Sequence, residues 1–552
     1  MATLQNSKQH LKKYLEPLQV EIETLYDLSC RLSASYKKLA AESSEHFIPS
    51  AITSLPTGYE KGRYLAVYVG LSYLRVAFID LLGDQHVKGQ ARVRRTLEKA
   101  WPIEERLRKD QSIDLFTWIG DCIAEVVADR LANPNEERID QITTALIKCR
   151  QDALDEAILM PTGKGFSLSS DLNLRQSLLN GYARHTYSSH GDENDADMPS
   201  KRRRLFSLPK LKIAVMINDT TATLASLAYS IPSLPNTRVV MGLIVGAGCN
   251  TTVPMKLAEL HASKTKSILE KHPGARETLI STEWTVSTAA ASFDELGIRT
   301  KWDHQLDDNS KRPGFQPMEY MVGGGYTGEL VRIICYDWFH GVLGVQRSEL
   351  PLKLVEEYSM TTEYLSLVVA SSMSDERLAG ELSKSLPPPP ESNWKWSSES
   401  ARDLRAIASA VQDRAASLVA SAVVGLLACT DEVQLCNKAH TGPSEVDKSD
   451  AQVTNNTDSD VVSSSTPGWN SGPEELAVAF SGGVIQHYPH YKENVQRYID
   501  RLLLRAGPQA GGKSVFLREA SDGGIIGTGV LAGTVSGEIG KIKVTKRASW
   551  RE

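Results

Sequence analysis

A chain of 552 residues exceeds what one ordinary core holds, so two lobes with insertions are expected. The 41% apolar and 23% charged residues are those of a soluble globular protein, and a formal charge of -5 over this length argues against a general nucleic-acid binder. The seven cysteines (Cys30, Cys122, Cys149, Cys249, Cys335, Cys429, Cys436) are scattered, odd in number and free of CxxC spacing, which suggests neither a disulfide framework nor a zinc site and fits a reducing, cytoplasmic compartment. The N-terminus lacks the apolar core of a secretory signal, and no uncharged run reaches the roughly 20 residues of a membrane helix. The longest, 220–237, is interrupted by Pro232 and Pro235, and 415–430 reads as a buried helix.

Residues 6–45 carry Leu, Glu, Lys and Ala at helical spacing and predict one or two amphipathic helices. Leu18, Ile22, Leu25, Tyr26 and Leu32 form the apolar face, and Pro17 suits a first turn. Two apolar runs around Gly70-Leu71-Ser72-Tyr73 predict a β-hairpin over 62–81 whose turn can approach a ligand. A helix is expected over about 114–131. The polar stretch 187–204 reads as a surface insertion with an acidic half and a basic half, the latter holding Lys201, Arg202, Arg203 and Arg204. That basic cluster suits either a solvated loop or a nuclear localisation signal.

At 211–229 a buried strand runs straight into a helix, placing Asn218-Asp219 where one ends and the other begins. Sites of α/β sheets lie at the carboxyl ends of strands, where an Asp can take a proton from a bound hydroxyl; the plain alternative is that Asp219 is only a helix N-cap. Residues 239–253 repeat the strand, glycine turn, strand pattern, which suggests an internal duplication. Pro387, Pro388, Pro389 and Pro390 form a stiff break between helices, 437–472 reads as a disordered insertion, and order resumes at 476–484.

Together these motifs, in this order, resemble the eukaryotic hexokinase family, and most closely its divergent fungal members and N-acetylglucosamine kinase-like proteins. Asn218-Asp219-Thr220 resembles the catalytic strand end, Gly246-Ala247-Gly248-Cys249-Asn250 the second phosphate loop, Ser281-Thr282-Glu283-Trp284 the sugar-binding Thr-Glu-Trp, and 313–321 the segment with a second sugar-binding Glu, here Glu319. Residues 326–332 follow as they do in the family, 159–166 is similar to its Thr-Lys-Gly-Phe loop, and Ser481-Gly482-Gly483-Val484 and 521–527 to its adenosine-side turns. The resemblance implies a two-lobed α/β actin-like ATPase (ribonuclease H-like) fold, with N-terminal helices over 1–61, a small lobe over 62–216, a large lobe over 217–528 and a tail over 529–552 returning to the small lobe. It implies Asp219 and Lys164 as catalytic residues, Asn218, Asn250, Glu283, Glu319 and Thr162 on the sugar, and Gly70, Ser72, Arg75, Gly246, Gly248, Gly482, Ser521 and Gly523 along ATP, with Mg²⁺ arriving on the nucleotide. The implied substrates are ATP and a hexose, glucose or N-acetylglucosamine; neither nucleic acid nor membrane is implied, and regulatory protein partners are left open.

The departures lie mainly on the phosphate side. Where the family's first phosphate loop reads Asp-Leu-Gly-Gly-Thr-Asn, this chain has Tyr68-Val69-Gly70-Leu71-Ser72-Tyr73, so Leu71 and the bulky Tyr73 are expected to hinder close phosphate approach. Gly163 stands at the family's Thr with Thr162 one residue earlier, Ala247 replaces a phosphate-binding Thr, and Ser481 replaces an Asp. The family's Gly-Phe-x-Phe-Ser-Phe-Pro strand is not found before residue 158, where 145–151 stands instead; either the strand is lost or a few codons are missing from the gene. Each candidate also has a plain reading: Glu283 and Glu319 as solvated surface acids, Gly246 and Gly248 as hairpin formers, Lys164 as a surface lysine. Two functions follow, an ATP-dependent hexose kinase or a catalytically weak sugar sensor.

Overall fold

The computed structural model describes residues 9–70, 72–85, 91–109, 112–132, 141–147, 172–186, 208–231, 236–284, 287–435 and 474–548. Its strands are β1 (Ile48–Pro49), β2 (Lys61–Val69), β3 (Tyr73–Leu82), β4 (Val93–Pro102), β5 (Gln141–Ile147), β6 (Lys210–Ile217), β7 (Thr237–Val245), β8 (Cys249–Lys256), β9 (Glu277–Ser281), β10 (Glu475–Ser481) and β11 (Ser514–Glu519). They form a five-stranded sheet ordered β4-β3-β2-β5-β6 and a six-stranded sheet ordered β1-β9-β8-β7-β10-β11. In each, an antiparallel meander is extended by parallel strands: β5 and β6 on β2 in the first, β10 and β11 on β7 in the second. Apart from the added edge strand β1, the two sheets share one order, which is the duplication that the paired hairpins suggested.

Of the 145–151 stretch, residues 145–147 end strand β5, which pairs in parallel with both β2 and β6, and 148–151 lie outside the described residues; a strand thus stands here without the family's sequence pattern. Lys164, Thr162, the 187–204 insertion with its basic cluster and the 437–472 insertion lie outside the described residues.

The helices that matter to the site are α1 (Ile22–Glu42), α2 (Ser112–Leu131), α3 (Asp219–Ser230), α4 (Pro317–Val322), α5 (Ser398–Cys429) and α6 (Gly523–Ala548). In α1, Leu25, Leu28, Leu32, Tyr36 and Ala40 recur at three- and four-residue spacing and are fully buried, the stripe that an amphipathic helix presents to a core. It packs on α5, and its carboxyl end is capped by Lys264, whose buried ammonium donates to the carbonyls of Leu39, Ala40, His46 and Phe47 at 3.3, 2.9, 2.7 and 3.4 Å. Such a cation satisfies carbonyls that the helix leaves without intrahelical donors.

Helix α5 starts from a capping box between Ser397 and Ser400 and is long and apolar enough to cross a membrane by composition. Its apolar window is 89% buried in the protein, so that hydrophobicity serves the core. Within it Arg414, fully buried, forks onto Asp303 at 2.7 and 2.6 Å. Helices α3 and α6 lie at the junction of the two lobes, where α6 packs on α3, β2, β3, β5 and β6 while α3 packs on β7, β8 and β10. Their close crossing needs Gly527, because a Cβ there would sit 1.8 Å from the Ala222 carbonyl oxygen.

Candidate functional site

Asp219 is the first residue of α3, and the N-cap is Asn218, whose side chain accepts from the Thr220 N–H at 3.0 Å and from the Thr220 hydroxyl at 2.8 Å. The capping role considered for Asp219 therefore belongs to its neighbour. Asp219 is half-buried at the carboxyl end of β6, and one of its oxygens accepts from the Thr220 N–H at 3.0 Å. Asn218, by contrast, is buried and committed to holding the helix end.

Glu283 and Glu319 are 5% and 4% exposed, which removes the surface-acid reading for both. Asn250 holds Glu283 from two sides: its amide Nδ2 donates to Glu283 Oε1 at 2.9 Å while its Oδ1 accepts from the Glu283 N–H at 3.1 Å. This pairing fixes the Asn amide orientation and keeps Glu283 at φ +48°, a left-handed conformation uncommon for a side chain of this kind. Glu319 lies on α4, whose residues are all buried, and its Oε2 accepts from the Cys249 N–H at 3.3 Å. The turn after α4 docks on the second glycine turn, Gly324 and Gly325 donating to the carbonyls of Gly246 and Ala247 at 2.7 and 2.8 Å.

A row of threonines ties these groups together. Thr220 and Thr221 meet Thr252 at 2.7 and 3.2 Å between hydroxyl oxygens, and Thr251 meets Thr282 at 2.7 Å. Side chains from the start of α3, from β8 and from the residue after β9 are thereby locked in register, so Asp219, Asn250 and Glu283 stand on a rigid, fully hydrogen-bonded base. These threonines were not singled out in the sequence, although the hydroxyl pairs flanking Asp219 and Asn250 were legible there as Thr220-Thr221 and Thr251-Thr252.

The glycine turns divide into two kinds. Gly246 closes the β7–β8 turn by donating to the Gly248 carbonyl at 2.9 Å, so both glycines do shape a hairpin. Gly482, at φ +115°, lies against it: a Cβ there would come within 2.5 Å of the Val245 carbonyl oxygen, while Gly483 faces open space. The Gly482 N–H donates to Gln486 Oε1 at 3.0 Å, so it is the open backbone at Gly483 that suits an anion. The small-lobe turn differs in its charged neighbours. Its Gly70 N–H is used by the Tyr73 carbonyl at 2.9 Å, and Arg75 is engaged by Glu98 at 2.7 Å and by Asp522 at 2.9 Å. Arg95 joins the same cluster, 2.9 Å from Glu98 and 2.8 Å from Asp522.

Tyr73 is 54% exposed and stands in solvent, so it is not the bulk that crowds this turn. That bulk is Tyr68, a half-buried side chain whose phenol is pushed up to about 12 by burial and then by the negative charge of Asp219, with Arg75 opposing. Ser72 and Ser521 are exposed, the latter 3.4 Å from Glu519, and Gly523 closes its turn by donating to Ala520 at 2.8 Å. The structure thus links Asp219, Asn250 and Glu283 through the threonines where the end of β6 meets the six-stranded sheet, with Glu319, Gly246, Gly248 and Gly482 on the adjoining helix and turns, and leaves Ser72 and Ser521 on exposed turns.

Sequence models described as hexokinase match residues 10–229 and 240–534. Among relatives, the hexokinase of Schistosoma mansoni is 29% identical over 366 residues, covering 64% of this chain and 70% of that protein. Hexokinase-1 of Schizosaccharomyces pombe is 26% identical over 340 residues, covering 60% of each. The mouse hexokinase HKDC1 is 25% identical over 331 residues, 58% of this chain, and the match spans 31% of its length. Among solved structures, a Schistosoma mansoni hexokinase complexed with glucose superposes with TM-score 0.69 at 22% identity over 96% of this chain and 99% of that one. A second hexokinase crystal structure gives 0.64 at 20% identity, over 96% and 100%. The lobes of matching strand order are those of the actin-like ATPase fold, and with sequence matches running from residue 10 to residue 534 they place this chain in the hexokinase family.

Proposed function

We propose that this protein is an ATP-dependent hexose kinase that phosphorylates the 6-hydroxyl of glucose or of an amino sugar such as N-acetylglucosamine. The observation that carries the reading is the linkage of Asp219 with the Asn250–Glu283 pair through the threonines, with Glu319 on the adjoining helix. Buried carboxylates and an amide hold sugar hydroxyls by hydrogen bonds that fix one hydroxyl toward Asp219. Asp219 then accepts that hydroxyl's proton, which makes the oxygen nucleophilic, and the threonine base keeps the acid in place while the lobes close and exclude water. The nucleotide, with its Mg²⁺, supplies the phosphoryl group and charge neutralisation. Gly483, beside Gly246 and Gly482, is the backbone that would face it.

The small-lobe turn supports a second reading, a hexose sensor whose turnover is slow because the phosphate side is obstructed. A coupled assay of ADP release with Mg-ATP and glucose, fructose, mannose, glucosamine or N-acetylglucosamine separates the two. Sugar-dependent turnover that is lost in Asp219→Ala is the expected result and identifies the sugar. No turnover, with a sugar still raising Tm, establishes the sensor. Neither turnover nor a Tm shift with any sugar overturns both.

A further inference from the structure

The ring of Tyr68 lies between two backbones, the β2–β3 turn and the first turn of α6. A Cβ on Gly70 would lie 3.1 Å from Tyr68 Cε1, and a Cβ on Gly524 would lie 2.7 Å from Tyr68 Cε2. One ring edge therefore rests on the β2–β3 turn and the other on the first turn of α6, with Asp219 close enough for its charge to act on the phenol. At 524 a side chain would force the ring to shift, and at 70 it would crowd it. The strand partner of Tyr68 is Arg75, and the cation that could draw an anion here is compensated by Glu98 and Asp522. Among the described residues no hydrogen bond to the Tyr68 hydroxyl accompanies this packing, so shape holds the ring rather than a polar partner.

From this geometry we infer that Tyr68 is a steric gate on the phosphoryl-donor side of the cleft, its ring filling the gap between Gly70 and Gly524 so that a nucleotide's phosphates reach Asp219 only after the ring swings out. The inference rests on the reading of the cleft as a hexose and nucleotide site. It assigns the effect to the ring and not to the hydroxyl, and it leaves the sugar side, built on Asn250, Glu283 and Glu319, untouched.

The test measures two quantities on the full chain: the hexose-induced rise in Tm, and the affinity for a fluorescent ATP analogue with Mg²⁺ at saturating hexose. Tyr68→Phe keeps the ring and is expected to bind the analogue within about twofold of the parent. Tyr68→Ala removes the ring and is expected to bind it at least about tenfold more tightly, with the Tm rise preserved; Tyr68→Thr repeats the truncation with a residue suited to a strand. Where turnover is measurable, truncation lowers the KM for ATP by the same factor while kcat changes less. Truncated variants that bind the analogue no more tightly than the parent overturn the gate, as does a gain shown equally by Tyr68→Phe. Absence of a Tm rise with every hexose overturns the sugar-site reading instead, and the nucleotide series then stands or falls separately.

Discussion

Glu283 shows how the site trades local strain for position. A non-glycine residue in the left-handed region costs on the order of 1 kcal/mol, and here the reciprocal hydrogen bonds with Asn250 hold the conformation. Removing Asn250 leaves the Glu283 N–H and carboxylate without these partners inside a buried site. Asn250→Ala is therefore expected to destabilise the protein by about 1–3 kcal/mol in urea unfolding and to abolish the hexose-induced Tm rise. Loss of the Tm rise without any loss of stability would show that Asn250 touches sugar only and does not support Glu283. Asp219 differs in kind: half-buried and standing in front of the threonine base, its loss is expected to affect turnover far more than folding.

At the scale of elements, the Arg414–Asp303 pair joins the long helix α5 to the helix Lys301–Asp308, where Asp303 completes a capping box with the N-cap Thr300. Burial alone would push the Asp303 carboxyl up. The charge and hydrogen bonds of Arg414, with the Thr300 hydroxyl and N–H, outweigh burial and hold it below its ordinary value of 3.8. A carboxyl depressed in the folded state contributes stability that is fully present above its unfolded pKa and is lost as pH falls through the folded value. Asp303→Asn is expected to cost about 3–5 kcal/mol at neutral pH by leaving Arg414 buried and uncompensated. It should also flatten the fall of Tm with pH below about 4 relative to the parent. An unchanged acid slope in the variant would show that other carboxylates carry the acid sensitivity.

For the whole molecule, the junction of α3 and α6 decides how the lobes meet. Backbone contact at Gly527 and Ala222 leaves no room for a side chain, and α6 carries that contact onward to the small-lobe sheet. Gly527→Val is expected to push the helices apart, to destabilise by about 1–3 kcal/mol through overpacking, and to shrink the decrease in radius of gyration that the proposed hexose binding is expected to give in small-angle X-ray scattering. A variant that compacts on hexose like the parent would place the hinge elsewhere. The Arg75, Arg95, Glu98 and Asp522 cluster also lies at this junction, linking the small-lobe meander to the turn that opens α6.

Much of this architecture was readable in the chain because it depends on local chemistry. Apolar runs around glycine turns marked both hairpins, and a strand running into Asn218-Asp219 marked the entry to α3; both signals act within about ten residues. The family motifs likewise pointed to Asp219, Asn250, Glu283 and Glu319, since each sits in a short run of side chains whose chemistry is distinctive. Which of two adjacent residues caps α3 required the backbone, because Asn218 and Asp219 are equally competent caps by composition. Strand β5 escaped the sequence because its identity comes from pairing with β2 and β6 rather than from its own pattern. Leu71 and Tyr73 were the expected bulk at this turn; Leu71 lies outside the described residues, Tyr73 opens β3 and is 54% exposed, and it is Tyr68, further into the sheet, whose ring the first turn of α6 covers at Gly524. The sequence by itself determined both hairpins and the strand-to-helix entry at Asn218-Asp219; only the tertiary structure decided that Glu283 and Glu319 are buried and that Tyr68 meets Gly524, a contact across more than 450 residues that no local pattern encodes.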